Sequence, residues 1–77
     1  METITNSTVE VFKTNVQNPA AAAMLVALLQ KRIINSHVNF DLDDCDKVLR
    51  IEGTDVSHQL VIELLKKHGY LCELLND

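Results

Sequence analysis

The stretch that decides the fold is His37-Val38-Asn39-Phe40-Asp41-Leu42, then Asp43-Asp44-Cys45-Asp46, then Lys47-Val48-Leu49-Arg50-Ile51-Glu52. In the first six residues Val38, Phe40 and Leu42 alternate with polar neighbours, the period of a strand with one buried face. The last six repeat the pattern, with Leu49 and Ile51 on the inward side. The acidic run between them has turn chemistry, so the whole predicts a β-hairpin whose second face meets water. Gly53-Thr54-Asp55 ends it.

Working outward, Thr8-Val9-Glu10-Val11-Phe12-Lys13 is β-branched and partly alternating and predicts an earlier strand. Val9 and Val11 share one face and Phe12 the other; the pattern alone leaves open which is buried. A helix follows from Asn18-Pro19. Asn18 suits an N-cap because its side chain accepts from an otherwise unpaired amide, and Pro19 suits the first helical position, where a missing N–H costs nothing. Ala21, Leu25, Leu28 and Leu29 form the expected buried stripe of this helix. The run Ala20 to Ala23 reads either as plain helix formers or as small residues allowing close packing on a sheet. Downstream, Asp55 or Ser57 caps a second helix running through His68, with Val61, Leu64 and Leu65 inward and Leu60 at the margin. Gly69 fits the left-handed position that closes such a helix. Leu71-Cys72-Glu73-Leu74-Leu75 makes a last short strand. The order βαββαβ, with right-handed crossovers, predicts an α+β ferredoxin-like sandwich: a four-stranded antiparallel sheet with both helices on one face. No linker or repeat divides the 77 residues, so one domain is expected over 1–77, with 1–6 frayed.

The hairpin segments, together with Val61-Ile62-Glu63-Leu64-Leu65-Lys66-Lys67-His68-Gly69-Tyr70 and Cys72-Glu73-Leu74-Leu75, resemble the heavy-metal-associated domain family. Its members pair an apolar-x-apolar-Asp-Leu strand with a Val-x-Val-type strand and end the second helix in Gly-Tyr. Phe12-Lys13-Thr14-Asn15-Val16 is similar to the segment that precedes the metal loop in some of them. The resemblance spans Val9 to Leu75 and implies the same fold. It does not carry the activity across. Where the family places Cys-x-x-Cys, this chain has Gln17-Asn18-Pro19-Ala20, and neither an amide nor a methyl group replaces a thiolate on a soft ion such as Cu(I) or Zn²⁺. The resemblance leaves Asn15, Gln17 and Asn18 as the binding candidates of a degenerate loop.

Other chemistry is thinly represented. Cys45 and Cys72 stand outside any Cys-x-x-Cys or Cys-x-x-His spacing, and free thiols are the expectation, with a relocated metal or redox role as the alternative. His37, His58 and His68 fall on different elements and favour capping or solvent exposure over a metal cluster. Asp41, Asp43, Asp44 and Asp46 crowd one turn but lack the glycine and the distal glutamate of a calcium loop. No nucleophile–base–orienter set, glycine-rich phosphate loop or paired catalytic carboxylates can be placed, so no enzyme and no cofactor are expected.

The totals agree. Hydrophobic residues at 47% and charged residues at 23% exclude a disordered chain. Seven Lys and Arg, scattered among eleven Asp and Glu, give −4, the wrong balance for a phosphate backbone. Phe12, Phe40 and Tyr70 are too few for a base-stacking surface. The apolar run Pro19 to Leu29 covers about 11 residues, short of a bilayer. Met-Glu-Thr-Ile-Thr-Asn-Ser at the start lacks signal-peptide character, and with two free thiols a cytoplasmic location is expected. The expected function is a non-enzymatic interaction module, contacting a protein partner or a second copy through unpaired strand edges. Metal handling at a relocated site is one alternative, and a small-ligand sensor is another, resting on fold analogy.

Overall fold

In the computed structural model, which describes residues 8–75, the expected elements follow in order. They are β1 (Thr8–Thr14), α1 (Pro19–Arg32), β2 (His37–Asp41), β3 (Val48–Gly53), α2 (His58–Lys67) and β4 (Cys72–Leu74). The four strands form one antiparallel sheet in the order β2-β3-β1-β4. This is the ferredoxin-like arrangement. The expectation for residues 1–6 lies outside the described residues.

Register shows why the sheet has one dry face. Phe12 stands opposite Leu49 on one side and Leu74 on the other, and Phe40 is opposite Leu49 from β2. Val38 and Ile51 form the neighbouring row. These side chains meet Leu25 and Leu29 of α1 and Val61 and Leu65 of α2 in one aliphatic core. The face left open in β1 is thereby settled: Phe12 is fully buried, whereas Val9 is 52% exposed. A phenylalanine removes more apolar area from water than a valine, and only the Phe12 face aligns with Leu49.

Both helices start and stop for local reasons. Asn18 Oδ1 accepts from the Ala20 and Ala21 amides at 2.8 and 3.4 Å, with Pro19 following as expected. Ser57, not Asp55, caps α2, accepting from the Leu60 amide at 3.2 Å. Asp55 instead takes φ of 57°, a left-handed turn residue that cannot enter a helix. The α2 C-terminus closes in a Schellman arrangement: Tyr70 N–H donates to Leu65 O, Gly69 N–H donates to Lys66 O, and Gly69 sits at φ of 89°.

The buried stripe of α2 is Val61, Leu64 and Leu65, with Leu60 half-buried as expected. On α1 the seam differs. Ala22, Leu25, Leu29 and the following Ile33 are buried, while Ala21 and Leu28 are only half-buried. The helix is apolar nearly all round, with Met24 44% exposed, so its period does not single out a face.

Candidate functional site

Three connections gather at one end of the sheet: the β1–α1 loop, the β2–β3 hairpin turn and the α2–β4 turn. Thr14 ties the first two together. Its N–H donates to Asp46 O at 3.0 Å and its hydroxyl donates to Lys47 O at 2.6 Å. The same hydroxyl accepts from the amide of Val16, whose side chain is fully buried. Asn15 Oδ1 accepts from the Leu71 amide at 2.9 Å and ties the third connection to the first. An exposed Lys13–Asp46 pair at 3.9 Å adds little in water.

This end is where the loop of residues 15–18 lies, and most of its polar groups are committed to holding the backbone. Asn18 is the helix cap and Asn15 the pin for β4, so of the three binding candidates Gln17 alone, also exposed, makes no side-chain hydrogen bond among the described residues. Cys72, on the helix side of β4 opposite Thr14, is half-buried. Desolvation by burial, with Glu73 adding to it, pushes its thiol up to about 12. It is a poor source of thiolate. Cys45 is exposed at the hairpin tip. Among the described residues its sulfur groups with carboxylates of Asp44 and Asp46, all within 4.8 Å of one another. Asp44 Oδ1 already accepts from the Asp46 amide at 2.8 Å, which is ordinary turn chemistry.

The histidines do not converge. His37 is exposed at the start of β2, and His68 Nδ1 lies 2.9 Å from Leu64 O at the end of α2. His58, expected to cap or face solvent, instead places Nε2 2.9 Å from Glu10 Oε1 and stands edge-on to Phe12, with ring centroids 5.9 Å apart at 80°. Glu10 faces the helices beside the core, and His58 supplies its partner. Sequence reading missed this pair; its one signal was a glutamate two residues from a core phenylalanine. Every buried side-chain N or O among the described residues has a partner, so no orphaned group points to a ligand. Between the helices runs an open groove of about 380 Å³ past Arg32, Leu60, Glu63 and Lys67, joined by a hollow of about 280 Å³ beside Ile34 and Asp55.

Unpaired hydrogen-bonding groups remain at both sheet edges, β4 with three residues and β2 with five, and the ladder fixes which ones on β2. Leu75 N–H donates to Val11 O at 2.8 Å, so the odd-numbered groups of β1 point toward β4. Thr14 N–H donates toward the β3 side, so the even-numbered groups point toward β3. In an antiparallel ladder Phe12–Leu49 and Glu10–Ile51 then exchange both bonds. The Val48, Arg50 and Glu52 groups consequently serve Asp41, Asn39 and His37 of β2. The N–H and C=O groups of Val38 and Phe40 are left facing outward. This edge carries no proline, lysine or bulge; the one charged side chain on it is Asp41, at its end.

Fold and site together define a small α+β sandwich with a stapled loop end and two open sheet edges, the five-residue β2 and the three-residue β4. No family model matches this chain, and no curated protein or solved structure is significantly similar to it. Among the described residues no helix is long and apolar enough to cross a membrane.

Proposed function

We propose that this chain is a non-enzymatic interaction module that accepts a strand from a protein partner along β2, in a heavy-metal-associated-like fold whose metal loop has become structural. The observation that carries the reading is the outward row of Val38 and Phe40 backbone groups on β2, the longer of the two sheet edges. Free Cys45 and Cys72 fit a reducing, cytoplasmic setting. The test is to add a capped, alternating Val-Thr heptapeptide to the ¹⁵N-labelled protein. Shifts centred on the Val38 and Phe40 amides support strand addition. Shifts that persist unchanged in Val38→Pro, which lacks the outward N–H, or no shift at millimolar peptide, would refute it.

Metal handling is a second reading, supported by the grouping of Cys45 with Asp44 and Asp46. Titration of the reduced protein with Cu(I) and Zn²⁺, followed by elemental analysis after desalting, separates the two. Retention of about one metal per chain that is lost in Cys45→Ser favours metal handling. Retention that survives that change moves the site away from Cys45, and no retention removes the reading.

A further inference from the structure

The five residues of β2 are complementary to themselves. Only even-numbered groups face outward, so an antiparallel second copy must pair even with even. Three such registers keep the strands overlapped near their middles: Val38 on the two-fold axis, Phe40 on it, or Asn39 on it. The third alone overlaps all of His37–Asp41 with itself. In it Val38 of each copy meets Phe40 of the other on the helix side, and the two pairs exchange four backbone hydrogen bonds. On the open face Asn39 meets Asn39, and each His37 lies opposite Asp41 of the second copy. Phe40 is only half-buried within one chain, and a second Val38 would extend its apolar cover.

We infer that the β2 edge joins the β2 edge of a second copy, antiparallel about Asn39, merging two four-stranded sheets into one. The partner follows from the strand's complementarity to itself: apolar against apolar on one face, amide on amide and imidazole against carboxylate on the other. Any register centred on the two-fold axis gives each off-axis pairing twice; what distinguishes this one is that all of His37–Asp41 overlaps with itself. The other registers set His37 opposite Asn39 or Asp43, or Asn39 opposite Asp41, and leave part of the strand unmatched. The inference rests on β2 being the binding edge and names what occupies it.

The test is sedimentation equilibrium of the full chain from about 10 μM to about 1 mM, with variants at exposed positions that leave the core alone. The wild type should rise from the 8.7 kDa monomer toward twice that mass. Asn39→Lys sets two ammonium groups against each other on the axis and should weaken association at least about ten-fold. His37→Asp should do the same by opposing carboxylates twice. The double change His37→Asp with Asp41→Lys should restore it, because the same register then pairs opposite charges. A dimer indifferent to all three overturns the inference and puts the contact elsewhere. A monomer at 1 mM whose Val38 and Phe40 amides still respond to the alternating peptide overturns self-pairing but leaves strand addition standing. A monomer that ignores the peptide overturns both.

Discussion

Replacing Thr14 by valine tests whether the loop end is stapled as described. The two side chains have nearly the same shape, so the change removes a hydroxyl and little else. Thr14 is 6% exposed, and its hydroxyl serves two partners, donating to Lys47 O at 2.6 Å and accepting from Val16 N at 3.2 Å. An unsatisfied buried group costs about 1–3 kcal/mol. Val16 is fully buried and its amide should sit near the middle of that range, whereas Lys47 O is only part-buried and water can recover some of its loss. The sum is about 2–4 kcal/mol. A domain of this length has roughly 4–12 kcal/mol in total, so the change should remove a large fraction of it. Each kcal/mol lowers Tm by roughly 4–8 °C in a domain this small, which makes the expected fall at least about 8 °C. Thr14→Ser is the control. It keeps both bonds and gives up one buried methyl, worth about 1 kcal/mol. Urea and thermal unfolding of the three proteins give the answer. If Thr14→Val proves as stable as Thr14→Ser, the staple is not what holds the loop, and the assignment of this end as structural fails with it.

Asn18→Ala should cost about 1 kcal/mol by orphaning the Ala20 and Ala21 amides, with Asn18→Asp close to neutral, read by urea unfolding. Gly69→Ala should also cost about 1 kcal/mol. A Cβ there meets nothing within 4 Å, so the cost lies in the backbone at φ of 89°, and unchanged stability would mean the turn re-forms without a left-handed residue. Cys72, with its thiol raised from 9.0 to about 12, should alkylate roughly 50-fold more slowly in the folded chain than in urea at pH 8, followed by mass spectrometry. About 1000-fold less thiolate is offset by roughly 20-fold greater nucleophilicity, so equal rates would contradict its burial. The same shift sets a direction with pH. The folded state keeps the proton that the unfolded state releases, so this contribution is whole below about pH 9 and is lost progressively toward pH 12. Cys72→Ala should flatten that alkaline decline in stability.

What the sequence made legible followed from periodicity meeting a one-sided environment. The hairpin was readable because Val38, Phe40, Leu49 and Ile51 alternate against polar residues that face water. The α2 stripe was readable because glutamate and lysines fill its other side. Where the contrast vanished, so did the reading. Alanine, methionine and leucine surround α1, and its seam fell on Ala22 rather than Ala21. In β1, valine and phenylalanine occupy both faces, and only pairing with Leu49 and Leu74 selects one. Asp55 and Ser57 were equal as caps until backbone angles separated them. The site was harder still. Asn18 as a cap is a local feature and was visible. The Asn15–Leu71 bond spans 56 positions and the Glu10–His58 contact 48, and no spacing rule encodes either.

The placement of binding on β2 turns on where backbone and side-chain groups are already used. A loop that presents two thiolates to an ion must leave those side chains free and the backbone around them steady. Here the side chains from Thr14 to Asn18 supply the steadiness themselves: the Thr14 hydroxyl for Lys47 and Val16, Asn15 for Leu71, Val16 in the core, Asn18 for two helix amides. Gln17 is left, and one exposed amide cannot hold a soft ion. Buried or half-buried backbone groups seek partners as surely as side chains do, and a strand edge offers them in a fixed row. The outward groups of Val38 and Phe40 are that row, flanked by side chains that match a second copy of themselves. Hydrogen-bonding capacity and sequence complementarity to a second copy coincide on the β2 edge, which is why the proposed contact is placed there.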